Sequence, residues 1–429
     1  MSKPEPNLKP TLLQRMGVDF RLSPILGIFL TVFLDMLAFG MFIPDIQLRG
    51  ELLSKQALGA NPDPAQVGLL IGFTQGVFSL VQLVTSPFLG RISDRYGRRR
   101  VLLISTALSV VSYLIYAHAD SLEMMIFSRI LSGIAAANIG VAFAYVADIT
   151  TPQDRAKGLG LMGAAFGLGF ILGPVTGGLL LELGNDRPLL LGYVAAALAL
   201  LNFLYVLFVL PESREHANVD QPPLARRFSQ AFSTPGLGLL LLLFFAANFA
   251  FTNLETTFFR LLADPRTVFD LGADAKQSGS YILGIVGVVS AIMQGYVVRK
   301  TTPKYGEVRL LRFSYLLMAP ALALVPFAPL WIPMLIVIVF LGIGTGLAQP
   351  SLSSLISRTA PKDMQGGIFG VTQGLGALGR FVAPLVSNSL FQAKPYYPYL
   401  LGAVLILFPA FASWKLRMPN DAPEDVAAA

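Results

Sequence analysis

The chain has 429 residues, 54% of them hydrophobic and only 13% charged, with a mean hydropathy of +0.64, which excludes a water-soluble domain. The absence of cysteine excludes disulfide and thiol chemistry, and His118 and His216 lie far apart and belong to no metal-ligand cluster. In a chain this apolar, the net charge of +7 reads as loop charge that sets orientation in a membrane, and no nucleic-acid partner is expected.

Residues 1–23 are polar and of mixed charge, and the first apolar run is full length without an evident cleavage site, so no cleaved signal peptide is expected. Apolar runs of about 20 residues, the length that crosses roughly 30 Å of hydrocarbon, then recur along the chain. They predict twelve helices over 24–47, 66–89, 101–118, 121–147, 158–183, 188–210, 236–262, 277–298, 309–327, 330–356, 365–390 and 396–417. Pro beside turn formers marks two junctions, Asn61-Pro62-Asp63-Pro64 and Thr150-Thr151-Pro152. The polar stretch 211–235 reads as a cytoplasmic linker between six-helix halves at 24–210 and 236–417, with 1–23 and 418–429 as cytoplasmic ends. If both termini are inside, the inner segments hold 23 Lys and Arg and the outer loops 7, a bias that predicts cytoplasmic termini.

The halves repeat. A shift of 209 positions pairs Gly133 with Gly342, Thr150 with Thr359, Pro152 with Pro361, Asp154 with Asp363 and Gly167 with Gly376. One register across helices 4–5 and 10–11 predicts duplicated halves of parallel topology, with a substrate site between them near the midplane.

The sharpest motif is Gly90-Arg91-Ile92-Ser93-Asp94-Arg95-Tyr96-Gly97-Arg98-Arg99-Arg100, between helices 2 and 3. A positive-inside loop explains its arginines but not Asp94 or the paired glycines. The alternative is a switchable salt-bridge latch of Gly90, Asp94, Arg95, Gly97 and Arg98, in which Asp94 meets a helix N-terminus and Asp148 partners Arg98. After helix 8, the stretch from Gly295 to Gly306 has glycines and cations but no acid where Asp94 would map. Gly158-x-Gly160-x-x-Gly163 and Gly374-x-Gly376-x-x-Gly379 fit the dinucleotide fingerprint, but neither follows a strand. They read instead with Gly68/Gly72/Gly76, Gly169/Gly173/Gly177 and Gly366/Gly370/Gly374 as close-packing stripes.

The loop at 90–100 resembles the G-x-L-A-D-R-x-G-R-[RK] loop of the major facilitator superfamily. Arg129-Ile130-Leu131-Ser132-Gly133-Ile134-Ala135-Ala136 resembles the helix 4 element of its drug:proton antiporters. Gly169-Phe170-Ile171-Leu172-Gly173-Pro174-Val175-Thr176-Gly177-Gly178 is similar to their helix 5 motif, and Leu210-Pro211-Glu212-Ser213 to the helix 6 ending of the tetracycline-efflux branch. The resemblance implies an all-α major facilitator fold of twelve helices in two pseudo-symmetric halves. It also implies sliding of helices 2 against 11 and 5 against 8, and a bend at Pro174 that seals the outward leak path. Unlike the tetracycline exporters, this chain has no acid within 101–118 or 309–327.

Ionisable groups inside a membrane are costly and are functional candidates. Asp35 lies about 16 Å from the inner end of helix 1 and Arg129 about 12 Å from the outer end of helix 4, at 1.5 Å per residue. The depths match, which predicts a carboxylate–guanidinium pair, either structural or proton-carrying; the resemblance implies a coupling role for both. Glu255 in helix 7 is a second acid, unless it lies at the membrane surface. Arg380 in helix 11 is either a substrate contact or a partner for an acid of helix 7 or 8. Gln75, Asn138, Asn248, Gln294, Gln349 and Gln373 are candidate cavity-lining groups, each alternatively an interhelical hydrogen bond.

The expectation is a proton-coupled antiporter that exports small amphipathic or hydrophobic compounds. Its partners are a small-molecule substrate, protons and membrane lipid; it uses no cofactor or metal and is not an enzyme. A monomer in a bacterial inner membrane is expected. The hinge is assigned to Gly169, Gly173, Pro174, Gly177 and Gly178. The rivals are a uniporter or proton symporter of a metabolite or lipid-like molecule on the same fold, and a non-transporting membrane receptor or scaffold.

Overall fold

The computed structural model describes residues 23–150, 155–213, 224–329, 331–360 and 365–415; 1–22, 151–154 and 361–364, which carry the N-terminal segment and part of the repeat, lie outside them, as do 214–223 of the linker and the tail. The described residues form helices without a strand. Ten helical spans are long and apolar enough to cross a membrane, and two further helices, Gln365–Ala393 and Tyr397–Ala412, complete a set of twelve. The first of these two is rich in glycine and polar residues, and the second has only 16 residues.

In chain order the spans are 1 (Pro24–Leu58), 2 (Pro64–Tyr96), 3 (Arg98–Ala117), 4 (Leu122–Ile149), 5 (Arg155–Leu183) and 6 (Pro188–Phe208), followed by 7 (Leu237–Ala263), 8 (Gly272–Tyr305), 9 (Glu307–Phe327), 10 (Ile332–Thr359), 11 (Gln365–Ala393) and 12 (Tyr397–Ala412). Pro near the first position starts several of them, where its missing N–H has no helical acceptor to lose. Asp63 and Ser121 cap spans 2 and 4 by accepting hydrogen bonds from Ala65 N and Met124 N at 3.2 Å each. The expected linker contains a short helix, Leu224–Ser233.

Three spans are interrupted where the sequence predicted continuous helix. Span 1 breaks at Phe42, just before Pro44, and continues 11 residues past its expected end at 47. Span 4 breaks at Ala137-Asn138, and span 8 carries a π-helical turn over Met293–Val297. Such interruptions free backbone groups at membrane depth and persist only where protein or a cavity covers them.

The two halves are built alike. Spans 1 and 5, 2 and 4, 3 and 4, and 3 and 6 pack together, as do spans 7 and 11, 8 and 10, 9 and 10, and 9 and 12. Between halves, span 2 lies along span 11 and span 5 along span 8. Lipid offers no hydrophobic drive for helix association, so close backbone approach has to hold these seams. A Cβ at Gly72 would sit 2.5 Å from Pro384 O, and Gly68 and Gly76 abut Asn388 and Phe381 in the same way. The stripe Gly169/Gly173/Gly177 closes not on span 8 but on span 1, at Met36, Gly40 and Met41. Span 5 meets span 8 through Gly178 against Ser280, and through Ile171 and Val175 against Gly287 and Gly284. The third stripe does not pack at Gly370, where no atom would come within 4 Å of a Cβ.

The seams are unequal along their length. The face bearing the linker and the 2–3 and 8–9 connections is called the linker face. Among the described residues, the hydrogen bonds and ion pairs that cross between halves lie toward the opposite face. There, Arg260 Nε donates to Glu51 Oε2 at 2.6 Å, Lys276 pairs with Asp186 at 2.6 Å, and Gln277 donates to Glu182.

Candidate functional site

One cavity lies between the halves beneath that seal, walled by Phe39, Ile43 and Ile46 of span 1, Gln75 and Ser79 of span 2, and Arg129 of span 4. The second half contributes Thr252, Glu255 and Thr256 of span 7 and Arg380 and Pro384 of span 11; Gln47 belongs to its roof. Gln47 donates to Glu255 O at 2.5 Å and accepts from Phe259 N at 3.0 Å, so the outer segment of span 1 is stitched to span 7. Gln75 donates to Thr256 O at 3.1 Å and accepts from Asn388 Nδ2 at 2.9 Å. Asn388 Oδ1 in turn accepts from the fully buried Arg260 at 2.7 Å. Gln75 therefore closes the roof as an interhelical bond and leaves little capacity for a ligand.

Three charged side chains share the wall. Arg129 is 3% exposed, its guanidinium lies 4.5 Å from the Phe78 ring centroid and 5.6 Å from that of Phe39, and its Nε has no hydrogen-bond partner. Glu255 is 7% exposed, which removes the membrane-surface alternative raised by the sequence. Arg380, from the facing span, shares the wall with Glu255, and no ion pair within 4 Å joins them among the described residues.

The predicted Asp35–Arg129 pair is not formed. Asp35 Oδ2 accepts from Asn138 Nδ2 at 3.0 Å, at the break in span 4, while Arg129 turns to the two phenylalanines. Equal depth does not fix the direction in which two side chains leave their helices. Of the other predicted lining groups, Asn248 donates to Phe244 O of its own helix at 2.8 Å. Gln294 lies in the π-helical turn and approaches Gly167 of span 5, Gln349 is exposed and Gln373 half-buried; none of these four is on the cavity wall.

At the linker face, Arg98 ties spans 2, 3 and 4 together. It pairs with Asp94 at 2.7 Å and Asp148 at 3.2 Å and donates to Ser93 Oγ at 2.5 Å. The start of span 3 is capped by a residue that the sequence reading left without a role. Glu212 accepts from Arg98 N at 2.8 Å and Arg99 N at 3.2 Å, placing an anion where the first-turn amides are free. Gly97 adopts φ +99°, and a Cβ there would collide with the Glu212 carboxylate, so glycine is required twice over. Ser213 Oγ donates to Asp148 at 3.3 Å, and Tyr145 OH to Pro211 O at 2.8 Å. Gly90 faces open space, and exposed Arg95 stacks 5.4 Å from the Tyr96 ring centroid.

The second half carries a charge-swapped counterpart. Gly306, the repeat mate of Gly97, has φ +74°, and Glu307, the mate of Arg98, pairs with Arg358 of span 10 at 2.9 Å and accepts from Ser354 Oγ at 3.1 Å. The acid absent from the position of Asp94 stands four residues later, with the sign of the pair reversed.

The sequence matches the Major Facilitator Superfamily over residues 28–384. Multidrug resistance protein 1 of Bacillus subtilis (strain 168) is 30% identical over 342 residues, covering 79% of this chain and 85% of that protein. Tetracycline resistance protein, class C, of Escherichia coli is 30% identical over 393 residues, covering 88% and 93%. The crystal structure of the human organic anion transporter MFSD10 (TETRAN) superposes with a TM-score of 0.71 at 24% identity, covering 92% of this chain and all of that one, a likeness of fold alone.

Proposed function

Because this chain belongs to the major facilitator superfamily, whose members are membrane transporters and not enzymes, we propose that it is a proton-coupled antiporter exporting small amphipathic or hydrophobic compounds. The observation that carries the reading is a charged cavity between two similarly built halves, with the hydrogen bonds and ion pairs that join the halves among the described residues lying toward one face. In a two-half transporter such a cavity serves alternating access, with rigid halves rocking about a midplane site. The Arg98 cluster and the Glu307–Arg358 pair each bind spans within one half, so each half moves as a body. The two bodies part along the 2–11 and 5–8 seams.

Asp35 is the protonatable group, with Arg129 as its modulator and Glu255 as a second acid. Asp35 has an amide partner and no ion pair within 4 Å among the described residues, so gain or loss of a proton breaks no salt bridge. The linker face is cytoplasmic and the seal faces outward, in agreement with the 23:7 distribution of Lys and Arg, and the membrane is a bacterial inner membrane. The likeness to proteins named for multidrug and tetracycline resistance supports small-molecule export.

The reading is tested in everted vesicles energised to an acid interior. A lipophilic test compound is expected to accumulate inside at least tenfold over vesicles lacking the protein, and nigericin should abolish the gradient of compound. Equilibration of the compound without accumulation would instead support a uniporter, and accumulation only with an alkaline interior a symporter.

A further inference from the structure

The cavity wall holds two guanidiniums and one carboxylate: Arg129 from the first half, and Arg380 and Glu255 from the second. Two cations against one anion leave an excess of one positive charge in a site cut off from bulk water on one side. Asp35 lies off the wall, where its carboxylate accepts from Asn138 and pairs with neither guanidinium among the described residues. Arg129 is the sharper anomaly: it is 3% exposed, its Nε is unpartnered, and its neighbours are aromatic faces, not a carboxylate. A buried charge without a counter-ion is costly, and in a membrane it marks a binding or transport path. Guanidinium presents a planar fork of donors suited to an oxyanion.

We infer that the cavity binds the anionic head of its cargo between Arg129 and Arg380, so that the substrate is an amphipathic organic monoanion whose apolar body rests on Phe39, Ile43 and Ile46. The inference rests on the transport reading and sharpens it. The head group joins guanidiniums from opposite halves, so occupancy draws the halves together at the midplane. Glu255, on the same wall as Arg380, competes with the cargo as an internal anion.

Equilibrium binding tests this without requiring flux, so its failure is distinct from failure of antiport. The probes are 1-naphthoate, 1-naphthamide and 1-naphthylmethylammonium, three ligands with one aromatic body and different charge, titrated by calorimetry into purified protein in nanodiscs. The naphthoate is expected to bind at least tenfold more tightly than either analogue. Arg380→Gln and Arg129→Gln should each lower naphthoate affinity tenfold or more and leave naphthamide unchanged. Arg129→Lys, which keeps the charge, should retain the preference for the anion, and Glu255→Gln should strengthen naphthoate binding severalfold. Absence of naphthoate binding, equal or tighter binding of the amide or ammonium, or variants that weaken all three ligands alike would overturn the inference.

Discussion

In Glu51→Gln protein, a cysteine placed at Thr252 is expected to react with a membrane-impermeant maleimide from the face opposite the linker, at least ten times faster than in the parent. Thr252 lines the cavity, is 4% exposed and lies beneath the seal, and the native chain has no cysteine to obscure the signal. The seal turns on Arg260, whose side chain is 1% exposed and whose guanidinium pairs with Glu51 at 2.6 Å across the halves. It also donates to Asn388 and stacks 4.4 Å from the Phe391 ring centroid. Removing one partner of a buried pair costs about 3–5 kcal/mol, because the remaining charge stays buried. Glu51 is 22% exposed and glutamine keeps a hydrogen bond, so about 2 kcal/mol is expected, enough for a shift of roughly thirtyfold between states. Reversing the pair, Glu51→Arg with Arg260→Glu, should restore slow labelling. Unchanged labelling in Glu51→Gln would mean that the Glu51–Arg260 pair does not hold this face closed.

Gly177→Val should largely abolish folded protein. A Cβ at Gly177 collides with the carbonyl oxygen of Met41, and its neighbours in the stripe, Gly169 and Gly173, already meet the span 1 backbone. Neither backbone can yield as a side chain would, which places the cost at or above the upper end of overpacking, about 3 kcal/mol, against a stability of only about 5–15 kcal/mol. Monodisperse yield by fluorescence-detected size exclusion is the measure. Gly163→Ala, on the same span with no atom within 4 Å of the new Cβ, should be neutral. If Gly177→Val folded normally, the close contact of spans 1 and 5 would not be a requirement of the fold.

These two seams show what sequence could and could not convey. Run length and hydropathy locate the spans, because the bilayer fixes how much apolar chain is needed. The spacing of Gly68, Gly72 and Gly76 marks a contact face, but the same spacing at Gly169, Gly173 and Gly177 could not say which neighbour is met. Partners are set by rotation about the helix axis, which also misdirected the pairing of Asp35 with Arg129. Glu212 could have been suspected from one signal: a lone acid ending span 6 on the face where an arginine-rich span begins. Its capping role needs two segments, 114 residues apart, to come together. Glu307 is not legible from the position of Asp94, because the second half exchanges the signs of the pair. The breaks at Phe42 and Asn138 leave little trace in hydropathy, which averages over them.

The central claim is that a proton on Asp35 is exchanged for the cargo. Asparagine at this position keeps an oxygen for Asn138 Nδ2 and removes the titratable group, so packing is little disturbed. The direct measurement is proton movement in proteoliposomes carrying a pH dye, on addition of a panel of lipophilic cations, neutral drugs and organic anions, for the parent and Asp35→Asn. Compound-triggered proton release by the parent that falls at least a hundredfold in Asp35→Asn, with compound binding retained, is the predicted result. Undiminished proton release by Asp35→Asn, or compound transport by the parent with no proton movement, would contradict it.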